Sequence, residues 1–327
     1  MKDEGIISKL IDAFKLPLNV ASACNLKLFT VLVALGFSAP SLAADRYRMP
    51  KAGDDMVGSS YKIDIKKGDT VTSIRHGHGV SYDELLMANP HIDFDHLRAG
   101  QRVLIPKRFI LPPFRRGIVV NIPELRMYYF TPDGKYVYTF PVGLGRSQWR
   151  TPVASTKVIR KKADPTWTPP DSIRKYTREK TGRELPQVVP AGPNNPLGKY
   201  ALYLGISGYM IHGTNALNTV GTFISSGCVR LGAEDIALLF EQVEVNTPVR
   251  FIYYPIKAGW SDNKLYLESH PAVGSYGKRE RSDLNDPTVQ GALYHALEQR
   301  PAKLSQPTIA KNLKERNGVP EVIGYGI

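Results

Sequence analysis

From residue 61 onward the chain alternates short apolar runs with polar turns, and the period of the apolar positions changes along it. YKIDI (61–65) alternates like a strand, and KKGDT (66–70) is a turn leading into a helix capped by Asp69 or Thr70. SYDELLMAN (81–89) starts on Ser81 with Glu84 three residues later, the pattern of a capping box. RVLIP (102–106) closes the unit, so the predicted order is strand, helix, helix, strand. Residues 116–255 have a β pattern. Two strands flank a proline bend in 116–130, and others are predicted at 136–145, 200–206, 209–214 and 248–254. AEDIALLFEQV (233–243) is the clear helix, with Ile236, Leu239, Phe240 and Val243 at helical spacing. The expected fold class is mainly β, with a sandwich or barrel-like sheet and a small βααβ module. The stretch 161–199, rich in Pro, Gly and Lys/Arg, reads as a long loop of the kind that is either functional or disordered. Residues 44–60 read as a linker, 257–274 as a short β extension, and 275–327 as a polar, solvated tail.

The apolar run before this region has a different meaning. LFTVLVALGF (28–37) follows Lys27 and precedes small residues at Ser41 and Ala43. That is the layout of a secretory leader, with cleavage expected after Ala43. A membrane span needs about 20 apolar residues, and Lys27 and Pro40 bound this run too closely. Composition then matters in one respect. The 327 residues include only two cysteines, too few for a disulfide scaffold or a Cys-only zinc site. Cys24 departs with the leader, which leaves Cys228 as the single thiol of an exported protein. The net charge of +13 is spread along the chain without a nucleic-acid motif, and it suits solubility or attraction to an anionic cell wall.

The candidate chemistry lies in 211–231. Ile211-His212-Gly213-Thr214-Asn215 is followed by Ser225-Ser226-Gly227-Cys228-Val229-Arg230. A thiol needs a base or a positive field to act as a nucleophile. His212 is expected at a strand end, and Cys228 just before the helix at 233, whose N-terminus would lower the thiol pKa. Gly227 would allow close backbone approach to a substrate. The competing interpretation makes Cys228 a core residue and His212 a satisfied strand histidine.

Residues 211–231, together with Phe140-Pro141-Val142-Gly143, Thr151-Pro152, Pro165-Thr166-Trp167-Thr168-Pro169-Pro170 and Gly192-Pro193-Asn194-Asn195-Pro196-Leu197-Gly198, closely resemble the L,D-transpeptidase (YkuD-type) catalytic domain over 116–256. Residues 61–107 resemble a LysM module through Tyr61, Gly68-Asp69-Thr70, Val80-Ser81, Glu84-Leu85, Ala88-Asn89, Gly100-Gln101 and Ile105-Pro106. The resemblance implies a periplasmic enzyme without a cofactor that binds peptidoglycan glycan. It would attack stem tetrapeptides through a cysteine thioester and pass the acyl group to an amine. The acceptor would be a second diaminopimelate or an outer-membrane lipoprotein or protein. Cys228 would be the nucleophile, His212 its base, and the Gly213 carbonyl the group that orients the imidazole. Gly227 and Cys228 N–H groups would form the oxyanion hole. Arg230, Ser225, Ser226 and Thr214 would line the substrate site, with Arg230 either holding a carboxylate or bracing the loop. Trp167 would belong to a lid. Two departures stand out: Ser226 occupies a position where many members carry histidine, and Thr151-Pro152-Val153-Ala154 replaces the usual turn. A hydrolase of the same fold and a non-catalytic wall-binding protein are the alternatives. His76, His78, His91 and His96 have no thiol or carboxylate spaced as metal partners, so no metal site is expected.

Overall fold

The computed structural model describes residues 45–273, 279–280 and 284–327. The expected leader and its cleavage point lie outside the described residues. The chain enters through β1 (Asp45–Arg48) and β2 (Met56–Gly58), so the expected linker contributes two strands. A compact unit follows: β3 (Tyr61–Asp64), α1 (Val71–His78), α2 (Tyr82–Ala88) and β4 (Arg102–Ile105). Both helices start on capping boxes, Thr70 with Ser73 and Ser81 with Glu84, and Gly79 at φ 55° ends α1. β3 and β4 pair antiparallel, with Tyr61 opposite Ile105, over a core of Ile65, Ile74, Leu85, Phe94 and Val103.

The main body follows as β5 (Arg108–Ile110), β6 (Gly117–Asn121), β7 (Arg126–Phe130), β8 (Tyr136–Pro141), β9 (Leu144–Gly145), β10 (Ala154–Ala163), α3 (Asp171–Thr181), β11 (Tyr200–Leu204), β12 (Met210–His212), β13 (Phe223–Ser225), β14 (Val229–Arg230), α4 (Ala233–Gln242) and β15 (Pro248–Ile252). The mainly β architecture forms as expected. A nine-stranded sheet runs β1-β8-β7-β6-β15-β10-β11-β12-β14, and β2–β5 and β9–β13 pair beside it. Strand alternation sorts its side chains. Ile118, Val120, Met127 and Phe140 pack on one face with Ile236, Leu239 and Val243 of α4. Val119, Tyr128, Phe130 and Val137 pack on the other with Val57 and Phe109. Because both faces are covered, β6 and β7 read as unbroken apolar runs.

The expected loop 161–199 differs in detail. β10 extends to Ala163, and α3 forms after Pro170, with Asp171 in its first turn and Gly182 at φ 68° closing it. The expected solvated tail is folded over most of its described length. β16 (Ile256–Ser261), β17 (Lys264–Ser269), β18 (Ala272–Val273), β19 (Arg279–Glu280), α5 (Pro287–Gln299), β20 (Ala302–Leu304), α6 (Gln306–Glu315) and β21 (Glu321–Gly326) complete the chain. The sheet β16-β17-β21-β20 carries α5 and α6, burying Trp260, Leu265, Leu267, Val289, Ile309 and Leu313. Apolar residues at helical spacing in an otherwise polar stretch are the reason this region folds. Trp260 Nε1 donates to the Ala296 carbonyl at 2.8 Å, which fixes α5 to the sheet.

Buried charges join these units. Arg126, fully buried, donates to Glu84 Oε1 through Nε at 2.8 Å and Nη2 at 2.5 Å, and lies over the Phe109 ring. Arg75 Nη2 donates to the Val220 carbonyl at 3.1 Å. A Cβ on Gly221 would fall 2.1 Å from Ser81 Cβ, so only glycine permits this approach between the βααβ unit and the main body. Lys257 is held by Glu124 at 3.1 Å and Glu268 at 2.7 Å, which ties the C-terminal unit to the same body. Among the described residues no helix is long and apolar enough to cross a membrane.

Candidate active site

The geometry begins with two short strands. β12 and β14 pair in parallel, with Ile211 opposite Val229 and His212 opposite Arg230. Ile211 and Val229 are buried in the core beneath the sheet. Strand alternation sends Met210, His212, Cys228 and Arg230 to the opposite face, where all four line one cleft of about 570 Å³. Thiol and imidazole therefore share a wall because of register, although sixteen residues separate them in sequence.

His212 is buried, and its Nδ1 donates to the Gly213 carbonyl at 2.5 Å. A carbonyl can only accept, so the proton sits on Nδ1 and Nε2 keeps its lone pair. Burial, reinforced by the positive charge of Arg230, lowers the His212 pKa to about 4, and the imidazole is neutral near pH 7. Gly213 has little space around it: a Cβ there would meet Ile236 at 3.1 Å and the Leu197 carbonyl at 3.3 Å. Asn195 supports this packing. Its Nδ2 donates to the Pro165 and Pro190 carbonyls at 2.8 and 3.0 Å, and its Oδ1 accepts from Leu197 N–H at 2.9 Å.

Cys228 is half-buried and its thiol donates to the Gly208 carbonyl at 3.6 Å. Burial pushes the thiol pKa up, against smaller downward pulls from the Met210 backbone and Arg230. The expected lowering by the helix N-terminus gives way to burial, and β14 separates Cys228 from the start of α4. Thiol and imidazole thus rest as a neutral pair. The turn before Cys228 is tightly held. Ser225 Oγ donates to the Cys228 carbonyl at 2.6 Å and accepts from Gly227 N–H at 3.1 Å, while Thr151 Oγ1 donates to the Gly227 carbonyl at 2.8 Å. Gly227 sits at φ 108°, and a Cβ there would meet Tyr209 at 2.9 Å.

Several expected site residues are placed differently. The Gly227 N–H, expected to face an oxyanion, is engaged by Ser225 Oγ. Thr214 is buried away from the cleft lining, with its Oγ1 accepting from Ala216 N–H at 3.0 Å. Ser225, Ser226, Arg230 and Trp167 do line the cleft. Arg230 exchanges two 2.9 Å backbone hydrogen bonds with Gly143, and its buried Nε has no hydrogen-bond partner among the described residues.

The sequence did not single out Arg146, Arg160, Lys162, Trp149 or α3, yet all of these line the cleft or cover it. With Arg230, three of them make four cations in a lining that contains no carboxylate. Arg146 Nε donates to the Ser225 carbonyl at 3.3 Å and Nη1 to Tyr176 Oη on α3 at 2.9 Å. Its guanidinium lies 5.1 Å from the Trp149 ring centre and 4.8 Å from that of Tyr176. Trp167 exchanges backbone hydrogen bonds with Val189, at 2.9 and 2.7 Å. The visible clue was GRSQWR (145–150), a basic and aromatic stretch directly after the Phe140–Gly143 motif.

Away from the cleft, Glu124, Glu268 and His270 bring potential metal-ligand atoms within 4.8 Å of one another. The Lys257 ammonium contacts both carboxylates and already fills the place of a cation between them, so this donor set does not fit a metal ion.

Comparison with known proteins agrees with this geometry. The L,D-transpeptidase catalytic domain (YkuD) matches residues 115–251, and the LysM domain matches 63–106. The probable L,D-transpeptidase ErfK/SrfK of Escherichia coli K12 is 37% identical over 302 residues, covering 90% of this chain and 95% of the relative. YbiS of the same strain is 37% identical over 306 residues, covering 90% and 98%, and YcfS is 40% identical over 248 residues, covering 74% and 77%. With a thiol and an imidazole brought to one wall by β12 and β14, and similarity to ErfK/SrfK and YbiS over nearly their whole length, the chain belongs to the L,D-transpeptidase family of acyltransferase enzymes.

Proposed function

We propose that the chain is a periplasmic cysteine acyltransferase acting on peptidoglycan stem tetrapeptides, with Cys228 as nucleophile and His212 as general base. The observation that carries this reading is the common face of Cys228, His212 and four unopposed cations. A stem peptide bears several carboxylates, and a cationic cleft without acidic residues suits them. Arg230 and Arg146, both in the cleft lining, are the assigned carboxylate holders.

Because both groups rest neutral, attack and deprotonation occur together. As Cys228 Sγ bonds to the carbonyl carbon of the L-centre of diaminopimelate, its proton moves to His212 Nε2. The Gly213 carbonyl steadies the resulting imidazolium through Nδ1–H. The Cys228 N–H is the assigned oxyanion donor, since Gly227 N–H serves the turn. Collapse of the tetrahedral intermediate breaks the bond to D-alanine, which leaves with the proton from the imidazolium. An acceptor amine then attacks the thioester, gives a proton to Nε2, and the thiol is restored. The acceptor is a diaminopimelate amine, giving a crosslink, or an amine of an outer-membrane protein.

The segment bearing Trp167 and α3 is the assigned lid, latched to the nucleophile's turn through Tyr176, Arg146 and Ser225. It keeps water from the thioester until the amine arrives. Mass spectrometry of purified tetrapeptide with and without acceptor amine tests the reading. A crosslinked product with loss of D-alanine is expected, and Cys228→Ala should yield none. Tripeptide alone would indicate a hydrolase, and unchanged tetrapeptide a binding protein. The acid limb of kcat/KM should fall near pH 4, not near 6.5, following the lowered His212 pKa.

A further inference from the structure

Thr151 and Pro152 stand outside the cleft lining, and the proposed reaction gives them no part. Thr151 is 3% exposed and lies where three segments converge. A Cβ on Gly145 would fall 2.1 Å from the Trp149 carbonyl oxygen, 2.8 Å from Thr151 N and 2.9 Å from Gly227 Cα. Glycine at 145 therefore lets β9, the 149–151 segment and the nucleophile's turn meet. Pro152 restricts the backbone of the residue before it to extended conformations, which steadies Thr151.

The hydrogen bonds at this junction run in one direction. Gly145 N–H donates to Thr151 Oγ1 at 3.0 Å. The hydroxyl has one proton, and it goes to the Gly227 carbonyl at 2.8 Å. That carbonyl shares a peptide unit with the Cys228 N–H. Ser225 Oγ holds the peptides on either side, through Gly227 N–H and the Cys228 carbonyl, and Thr151 holds the one between. No peptide bond among the described residues is cis. In a trans peptide the C=O and N–H point in opposite directions. Drawing the Gly227 carbonyl to the buried Thr151 thus turns the Cys228 N–H away from it. Donation to the carbonyl also polarises the amide and strengthens its N–H as a donor.

We infer that Thr151 is a positioning residue for the oxyanion-binding N–H of Cys228, setting its direction and polarity through the Gly227 carbonyl. The inference rests on the acyl-transfer reading above, which assigns that N–H to the oxyanion.

Two small probes of Cys228 separate this role from simple support of the turn. 4-Nitrophenyl acetate passes its acetyl group to Sγ with loss of 4-nitrophenolate, and charge builds on the carbonyl oxygen. Iodoacetamide forms a C–S bond as iodide leaves, and no oxyanion develops. Both rates are measured on the full chain, with the modified residue located by mass spectrometry. Thr151→Val keeps the shape of the side chain and removes the hydroxyl. Thr151→Ala also removes the hydroxyl and serves if the valine variant does not fold. Losing an oxyanion donor outright costs about 10²–10³-fold, and here the N–H stays but loses its aim. The ratio of ester rate to alkylation rate should fall about tenfold in both variants and return to within about threefold of the original in Thr151→Ser. A ratio that holds in the valine and alanine variants, or one that serine does not restore, would overturn the inference. The tetrapeptide assay on the unsubstituted chain separates the two readings. Transfer with an unchanged ratio in the variants overturns the role of Thr151 alone, and a fallen ratio without transfer overturns the acyltransferase reading alone.

Discussion

The cleft and the charged seam that joins the LysM and C-terminal units to the main body use the same residue types in opposite ways. In the seam, Arg126 and Glu84 are both buried and paired, and Lys257 lies between Glu124 and Glu268. In the cleft, Arg146, Arg160, Lys162 and Arg230 have no carboxylate beside them in the lining. Paired buried charges fix how units meet, because separating them would strand a charge in a poor solvent. Unopposed charges around a thiol leave their pairing to a substrate. The state of pairing therefore distinguishes structural arginines from those proposed to bind substrate.

Substitutions test that distinction. Cys228→Ala should lower acyl transfer by at least about 10³-fold with the thermal melt little changed, measured by product mass spectrometry beside calorimetry. Glu84→Gln should do the reverse. It leaves Arg126 buried without its counter-charge, at a cost of about 3–5 kcal/mol in urea unfolding, with activity per folded molecule retained. If Glu84→Gln proves harmless to stability, the seam is not the clasp described. Arg146→Ala should raise KM for the tetrapeptide about tenfold and shift products toward the hydrolysed tripeptide, because it removes both a cation and the α3 latch. An unchanged KM and product ratio would remove Arg146 from the substrate site. The smallest effect is expected at Asp235. Its folded pKa is raised to about 7, so the fold favours the neutral acid. The unfolded carboxyl ionises from about pH 4 upward, and stability is lost between about pH 4 and 7. Asp235→Asn should therefore raise the melting temperature by a few degrees at pH 8 and hardly at pH 4.

Much of this was legible in the sequence because local signals agreed with the fold. The Ser81–Glu84 box, the apolar spacing of 236–243 and the alternation of 61–65 each correspond to a formed element. His212 and Cys228 were legible as chemistry, but their common wall depends on parallel pairing of two strands of three and two residues. No local pattern encodes such pairing. α3 was missed because it buries no residue completely; only Ile173, Tyr176 and their neighbours are half-covered. α5 and α6 were missed because their apolar positions are diluted by polar ones and gain meaning only against Trp260 and Leu267. The roles of Thr214 and Gly227 depended on which way a hydroxyl and an N–H point, which residue identity does not specify.

The fit of Gly221 against Ser81 has a consequence for scale. A wall-binding module on a slack tether lets an enzyme sample stem peptides anywhere within the tether's reach. Here the module touches the main body directly at Ser81 and Gly221, and Arg126 and Arg75 pin it from two sides. A glycan strand held by this module would therefore keep one set distance from Cys228. On the proposed function, the molecule would then work as a gauge, presenting its thiol to stems at a constant offset along the strand.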